Sequence, residues 1–432
     1  MNLDFWTHTV FEQSHQEGTV RQALVSLSSL HLNYTTESLS HNGMARDDTL
    51  VQYGKALRML QRRMKTPDAE AIRTALVCSV LFYCFEATLG NNEAATHHLQ
   101  GGLNMLSSCH SNGTEQTEVL HGISLEFERL DLQATLFYDQ PVPHLLHPRD
   151  DDHNDGYTMR PFQRLSDAHR ALVKAISRGW RLMCDNVDYK HTLAEDLPDS
   201  ILHGKCNLRE NLVQWRTAFS DFKRRLSTAD QRGYAQQILV VHWHIALMLL
   251  DAVFPADLDV WGASPNPRAA EMLHLIEDIL DHDHGNSKAS SPASSTSSSP
   301  QRIVTSEMGV IAPLFAVALK CADQEVSERA FELLRLTQRR EGLWEASHMA
   351  SLVSKLREAR ELRYAPQGEA ALAEARKQSL EMLFERELSS EGGLLSVNMR
   401  STYFEKAVEA LYGSFGHAGA GHDKDDESRG AS

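Results

Sequence analysis

The sequence predicts an all-α protein: an irregular bundle or solenoid of about a dozen helices, interrupted by a disordered, serine-rich linker. Three observations carry that expectation. Apolar residues recur at three- and four-residue intervals along almost the whole chain, the period of an amphipathic helix. No convincing strand pattern and no fixed-period repeat interrupts them. The breaks fall at Gly, Pro and Asp residues, which stop and start helices.

In order, a short first helix holds Phe5, Trp6 and Val10, and a polar run ending at Gly18 separates it from the next. Val20, Ala23, Leu24, Leu27 and Leu30 then form one apolar stripe. A third helix places Leu50, Tyr53, Leu57, Leu60 and Met64 on one face. Pro67 cannot continue it, and Asp68 is suited to cap its successor. That successor, residues 69–89, has almost no polar face through its middle, so it is expected at the centre of the bundle. Gly90 stops it. The next helix carries His97, His98, Leu99 and the pair Gly101-Gly102. Glycines inside a helix cost about 1 kcal/mol each relative to alanine, so close packing against helix 69–89 is expected there.

Helix 119–138 brings Ile123, Phe127, Leu130, Ala134 and Phe137. Four of the 13 prolines then fall between Pro141 and Pro161, which reads as a long surface loop. Helical pattern resumes near Leu165 and runs to His282, most clearly over 238–254. Residues 287–300 are almost only Ser, Ala, Thr and Pro, with nothing to bury. The expected organisation is an N-terminal helical part (1–282), a disordered linker (283–302), a C-terminal helical part (303–412) and a disordered tail (413–432). Ser291-Pro292 and Ser299-Pro300 suit proline-directed kinases, so the linker is expected to be a phosphorylatable, protease-sensitive hinge. A short amphipathic piece is expected near 403–411.

Composition narrows the function. A formal net charge of −15 speaks against this chain gripping nucleic acid by itself, because phosphate contacts need a dense Lys/Arg patch. The basic runs are short, as at Lys223-Arg224-Arg225 and Arg339-Arg340, and read as solvated helix faces. Residues 1–6 carry neither a basic nor an apolar leader, so no secretory signal is expected there. The longest apolar stretch, residues 75–85, is too short to span a bilayer. The six cysteines, Cys78, Cys84, Cys109, Cys184, Cys206 and Cys321, show no zinc-ligand spacing. Cys78, Cys84 and Cys321 read as small buried hydrophobes of a reducing compartment.

No catalytic, cofactor-binding or metal-binding residue is assigned. P-loop, H-E-x-x-H, G-x-S-x-G and kinase signatures are absent. Gly416, Gly419 and Gly421 neither follow a strand nor open a helix, so they do not read as a nucleotide site. Asp281-His282-Asp283-His284 reads as a helix end favoured by the helix dipole rather than as a metal site. His242 and His244 flank Trp243 and diverge on a helix, as do His97 and His98. Arg129 and Asp131 read as a solvated or interhelical ion pair. Glu341 has no catalytic partner at a suggestive spacing; Gly342 is expected to end a helix, with Leu343 and Trp344 anchoring the next one.

Two phrases stand out: Ile311-Ala312-Pro313-Leu314-Phe315 and, some thirty residues later, Arg340-Glu341-Gly342-Leu343-Trp344. They follow Val20-x-x-Ala23-Leu24, Leu81-Phe82-x-x-Phe85-Glu86, His98-Leu99-x-x-Gly102-Leu103 and Arg129-Leu130-Asp131. In this order the set, spanning roughly residues 5 to 360, resembles the α-helical regulatory domain of fungal zinc-cluster (Zn2Cys6) transcription factors. The resemblance implies a helical array, a nuclear location and transcriptional regulation, often of a pathway or secondary-metabolite gene cluster. It also casts His98 as a packing residue with a hydrogen-bond role. The family's C-x2-C-x6-C zinc cluster does not occur among these residues. Action through a protein partner (another regulator or a second copy) or through a small-molecule effector is therefore expected, without membrane contact. The alternative is an α-helical scaffold or a small-molecule enzyme with no recognisable motif. Translating the genomic DNA upstream of Met1 discriminates, because an in-frame C-x2-C-x6-C string restores direct DNA binding.

Overall fold

Helix α4 (Ala69–Leu89) organises the first half of the molecule in the computed structural model, which describes residues 5–35, 43–111, 118–138, 159–189, 192–226, 233–254, 262–289 and 302–364. Asp68 accepts the Ala71 N–H at 2.7 Å and so caps the helix. Gly90 ends it in the left-handed region at φ 83°, its N–H turned back to the α4 carbonyls. Nearly every residue between Thr74 and Thr88 is buried, as an all-apolar helix requires.

Around α4 pack a π-helical turn (Phe5–Val10), α1 (Phe11–Gln16), α2 (Gly18–Thr35), α3 (Gly43–Arg63), α5 (Asn92–Ser111) and α6 (Glu118–Tyr138). The two α5 glycines behave differently. A Cβ on Gly102 would lie 2.3 Å from the Phe127 ring of α6 and 3.2 Å from Ser79 of α4, whereas Gly101 faces open space. Gly102→Leu is therefore expected to destabilise by about 1–3 kcal/mol or more, and Gly101→Ala to stabilise by up to about 1 kcal/mol. Urea denaturation of the two variants checks this; a fully stable Gly102→Leu protein would show that the α4–α5–α6 packing is loose.

A second core lies among α7 (Leu165–Asp185), α8 (Asp199–Arg224) and α9 (Tyr234–Ala252). Trp215 anchors it, stacked on Phe219 at 4.7 Å and donating its indole N–H to the Ala168 carbonyl at 2.7 Å. The third core joins α9 and α10 (Pro267–Ala289) to α11 (Ile311–Lys320), α12 (Gln324–Leu336) and α13 (Ala346–Tyr364). Residues on both sides of the expected linker thus share one core.

Thirteen α-helices stand among the described residues, and the all-α expectation holds with corrections. Residues 303–305, read as the start of a helix, form strand β1 (Ile303–Thr305). It pairs in parallel with β2 (Arg339–Glu341), which pairs antiparallel with β3 (Trp344–Glu345). Gly342, read as a helix stop, is the hairpin turn between β2 and β3, at φ 57°. The two roles share one physical signal, a left-handed residue after an apolar-polar run. Helix α10 runs to Ala289, past the expected helix end at His282. Helices α4 and α9 are long and apolar enough, by length and composition, to cross a membrane. The 75–85 stretch alone did not suggest this. In α4, 83% of the apolar window is buried inside the protein, which accounts for its composition. Most of the 141–161 loop, residues 290–300, the 403–411 piece and the tail lie outside the described residues.

Candidate functional site

Glu341 is 1% exposed. Its carboxylate accepts the backbone N–H groups of Gly309 (3.0 Å), Val310 (3.0 Å) and Ile311 (2.9 Å), and the Nε–H of Arg339 at 3.0 Å. These are orphan donors at the start of α11, whose own N-cap, Val310, has no capping side chain. A carboxylate from a distant strand caps the helix instead, where the helix dipole favours negative charge. Pro313 fits the same first turn because it brings no further N–H to satisfy. Gly309 leaves the room required: a Cβ there would sit 2.3 Å from the Glu341 carboxylate.

The rest of the motif ties β2 and β3 to the N-terminal helices. Arg340 donates to the Ala87 carbonyl at 3.0 Å, near the C-terminus of α4, and pairs with Glu345. The Glu341 carbonyl accepts from Gln133 of α6 at 3.2 Å, and Gln133 in turn accepts from the Tyr83 hydroxyl at 3.0 Å. A Cβ on Gly342 would strike the Gln133 amide at 2.4 Å. Leu343 enters the N-terminal core, while Trp344 enters the C-terminal core between Phe137 (5.3 Å) and Phe315 (5.9 Å). The two motifs that stand out in the sequence therefore meet.

A second set of charges lies alongside. Arg129 of α6 and Asp131 are both buried, which corrects the solvated alternative of the sequence expectation, and the ion partners of Arg129 are Glu126 and Glu307. Arg129 pairs with Glu126, donates to the Ser306 carbonyl at 2.8 Å and reaches Glu307 at 3.3 Å. Burial pushes the Glu126 carboxyl up, against the pull of Arg129. Burial opposes the Arg129 charge as well, but Glu126 and Glu307 outweigh it and hold the guanidinium above its ordinary range. Burial also pushes the nearby Cys84 thiol up to about 12, so it stays protonated and inert. Cys78 and Cys321 are buried as expected.

Burial keeps His242, His98 and His244 neutral. His242 Nε2 lies 2.9 Å from the Gly309 carbonyl, which accepts its proton, and burial lowers its pKa. His98 packs as expected: its Nε2 is 2.9 Å from the Tyr53 hydroxyl, and burial lowers its pKa to about 4. His244 is buried, lies 3.8 Å from Glu271 and is lowered by burial to about 4. His97, about 100° around α5 from His98, is exposed. His282 stands on α10, and the side chains of Asp283 and His284 lie outside the described residues.

Glu341 faces backbone donors rather than a cavity, so the joint offers no free acid, base or nucleophile. Its chemistry is positional. It fixes α11 and the hairpin against α4, α6 and α9. Gln133, Glu307 and Gly309 were missed in the sequence, since each is defined by partners far away along the chain. Among the described residues, no group of three His, Cys, Asp or Glu side chains forms a metal site.

Comparison with known proteins bears on these observations. The profile of the fungal specific transcription factor domain matches residues 4–251. The transcription regulator lscL of Purpureocillium lilacinum is 22% identical over 298 residues, covering 65% of this chain and 64% of the relative. The aspercryptin biosynthesis cluster-specific transcription regulator atnN of Emericella nidulans is 22% identical over 414 residues, covering 77% of this chain and 66% of the relative. The chain thus spans slightly under two thirds of the length of these relatives. No solved structure matches it.

Proposed function

Because this chain belongs to the fungal specific transcription factor domain family, we propose that it is a nuclear regulator of transcription that acts through a protein partner and responds to a small-molecule effector. The family match over residues 4–251 carries this reading. A pathway gene cluster is the expected target, by analogy with the relative whose name states such a role. Two features favour a partner over direct DNA contact by these residues. The net charge is −15, and no cysteine pair has the spacing of a zinc cluster. A buried, charged joint between packed helical cores supports the effector reading, since a local change at such a contact can be passed from one core to the next.

The purified chain is expected to select no sequence from a random duplex pool and to hold zinc well below one equivalent. Enrichment of one duplex sequence without a partner present would defeat the partner-dependent reading. Deletion of the gene should change transcripts of one clustered set of pathway genes, and a fluorescent fusion should concentrate in the nucleus. Unchanged transcripts would remove the regulatory reading itself.

A further inference from the structure

The outer face of the α2–α3 pair combines exposed apolar side chains with uncompensated cations. Val25 and Leu32 stand on one stripe of α2, about two turns apart, and are 47% and 60% exposed. On α3, Val51, Lys55, Arg58 and Arg62 recur at alternating steps of four and three residues, so they share one stripe. All four are exposed, whereas Thr49, Tyr53 and Ala56 turn to the core. Gln22 donates to the Gln52 side chain at 2.6 Å and Asn33 to the Thr49 hydroxyl at 3.1 Å, so the helices run antiparallel and set the two stripes side by side. Leu32 thus lies toward the Val51 end, and the cations lie toward the start of α2.

The charge on this face is unspent. Among the described residues no carboxylate pairs with Lys55, Arg58 or Arg62, although neighbouring Arg63 is taken up by Asp68 at 2.9 Å. Arg21, at the same end of α2, gives its donors to the Ser14 and His15 carbonyls and keeps its charge. Helix α2 carries no acidic residue, and α3 carries its own, Asp47 and Asp48, only in its first two turns. This positive strip stands out on a chain of formal net charge −15. Nucleic acid fits it poorly, because phosphates gain nothing from two valines and a leucine. A second copy fits it poorly too, because a twofold contact sets the face against itself and so brings cations near cations. Carboxylates interleaved with apolar side chains match both halves of the face, which is the pattern of an acidic amphipathic helix.

We propose that this face is the docking surface for an α-helix of a partner protein, apolar on the side turned to Val25, Leu32 and Val51 and carrying carboxylates toward Lys55, Arg58 and Arg62. The stripe from Val51 to Arg62 is about 16 Å long, or three helical turns, so a helix of about four turns covers it. Apolar contact excludes water and holds the helix, while the cations steer its approach and fix its direction along the groove. This assignment rests on the partner-dependent reading above, and its test is independent of transcription.

The probe is a fluorescein-labelled synthetic peptide of about 14 residues, with leucines on one helical face and glutamates on the other. It is titrated with the full chain and followed by fluorescence anisotropy. Saturable binding that weakens with added salt is expected. Arg58→Glu combined with Arg62→Glu, and separately Val25→Ser combined with Val51→Ser, should each weaken it at least about tenfold. Arg224→Glu, a charge reversal on α8 at a side chain 74% exposed, should leave it unchanged. All these side chains are exposed, so circular dichroism and urea denaturation of the variants should match the parent. A counterpart peptide with lysines in place of the glutamates should not bind. No saturable binding, equal binding of the lysine peptide, or unweakened binding in the paired variants would overturn the surface. So would a dimer, or binding of duplex DNA, that the same variants abolish, since the face would then belong to a second copy or to nucleic acid. Unchanged transcripts on gene deletion with peptide binding intact would instead remove the regulatory reading alone.

Discussion

Glu341→Ala is expected to lower stability by about 3–5 kcal/mol, the cost of breaking a buried, hydrogen-bonded charge pair from one side. The change removes the side-chain acceptor of the Gly309, Val310 and Ile311 N–H groups and the Glu341 carboxylate from buried Arg339. Arg339 also donates to the Tyr234 hydroxyl at 2.6 Å. Glu341→Gln should recover little, since its amide N–H₂ would point at a backbone N–H. The control is Glu328→Ala. Glu328 is 58% exposed and pairs with Arg357 at 2.8 Å, so its loss should stay within about 1 kcal/mol. Urea denaturation with an unchanged slope reads both. A Glu341→Ala loss no larger than the Glu328→Ala loss would mean the joint is not fixed by this carboxylate.

Phe85→Ala should cost a similar amount, about 3–5 kcal/mol, by a different route. Phe85 is 1% exposed, and its ring stacks on Tyr53 at 4.1 Å and 8°. Truncation removes that surface from the N-terminal core and leaves a cavity that the rigid, all-buried α4 cannot close. It also frees the Tyr53 ring, whose hydroxyl is paired with His98. A loss under about 1.5 kcal/mol would show that the core repacks and that α4 is not its rigid centre.

How far the sequence could be read depended on the range of each interaction. Helix α4, the Asp68 cap and the Gly90 stop rest on signals within one or two turns, and they were legible. So was His98, whose role followed from its place in a recurring phrase. The hairpin was not legible. Gly342 carries the same local signature as a helix C-cap, and what decides between the two is Gln133 and the Thr305 carbonyl, the latter 2.7 Å from the Gly342 N–H. Arg129 read as part of a solvated or interhelical ion pair, and its burial was hidden because two of its partners, Glu307 and the Ser306 carbonyl, lie on the far side of the expected linker. At the site, the residue types were visible and their convergence was not.

Leu343 and Trp344 are chain neighbours that occupy different cores. Leu343 closes the hairpin turn and Trp344 opens β3, so one peptide unit divides the two interiors. The hairpin is therefore length-locked. Inserting one residue between Leu343 and Trp344 would turn the indole to the opposite face of the strand, away from the core it fills. Descendants of this chain should accept compensated changes of side-chain size at these two positions, while indels between them are purged.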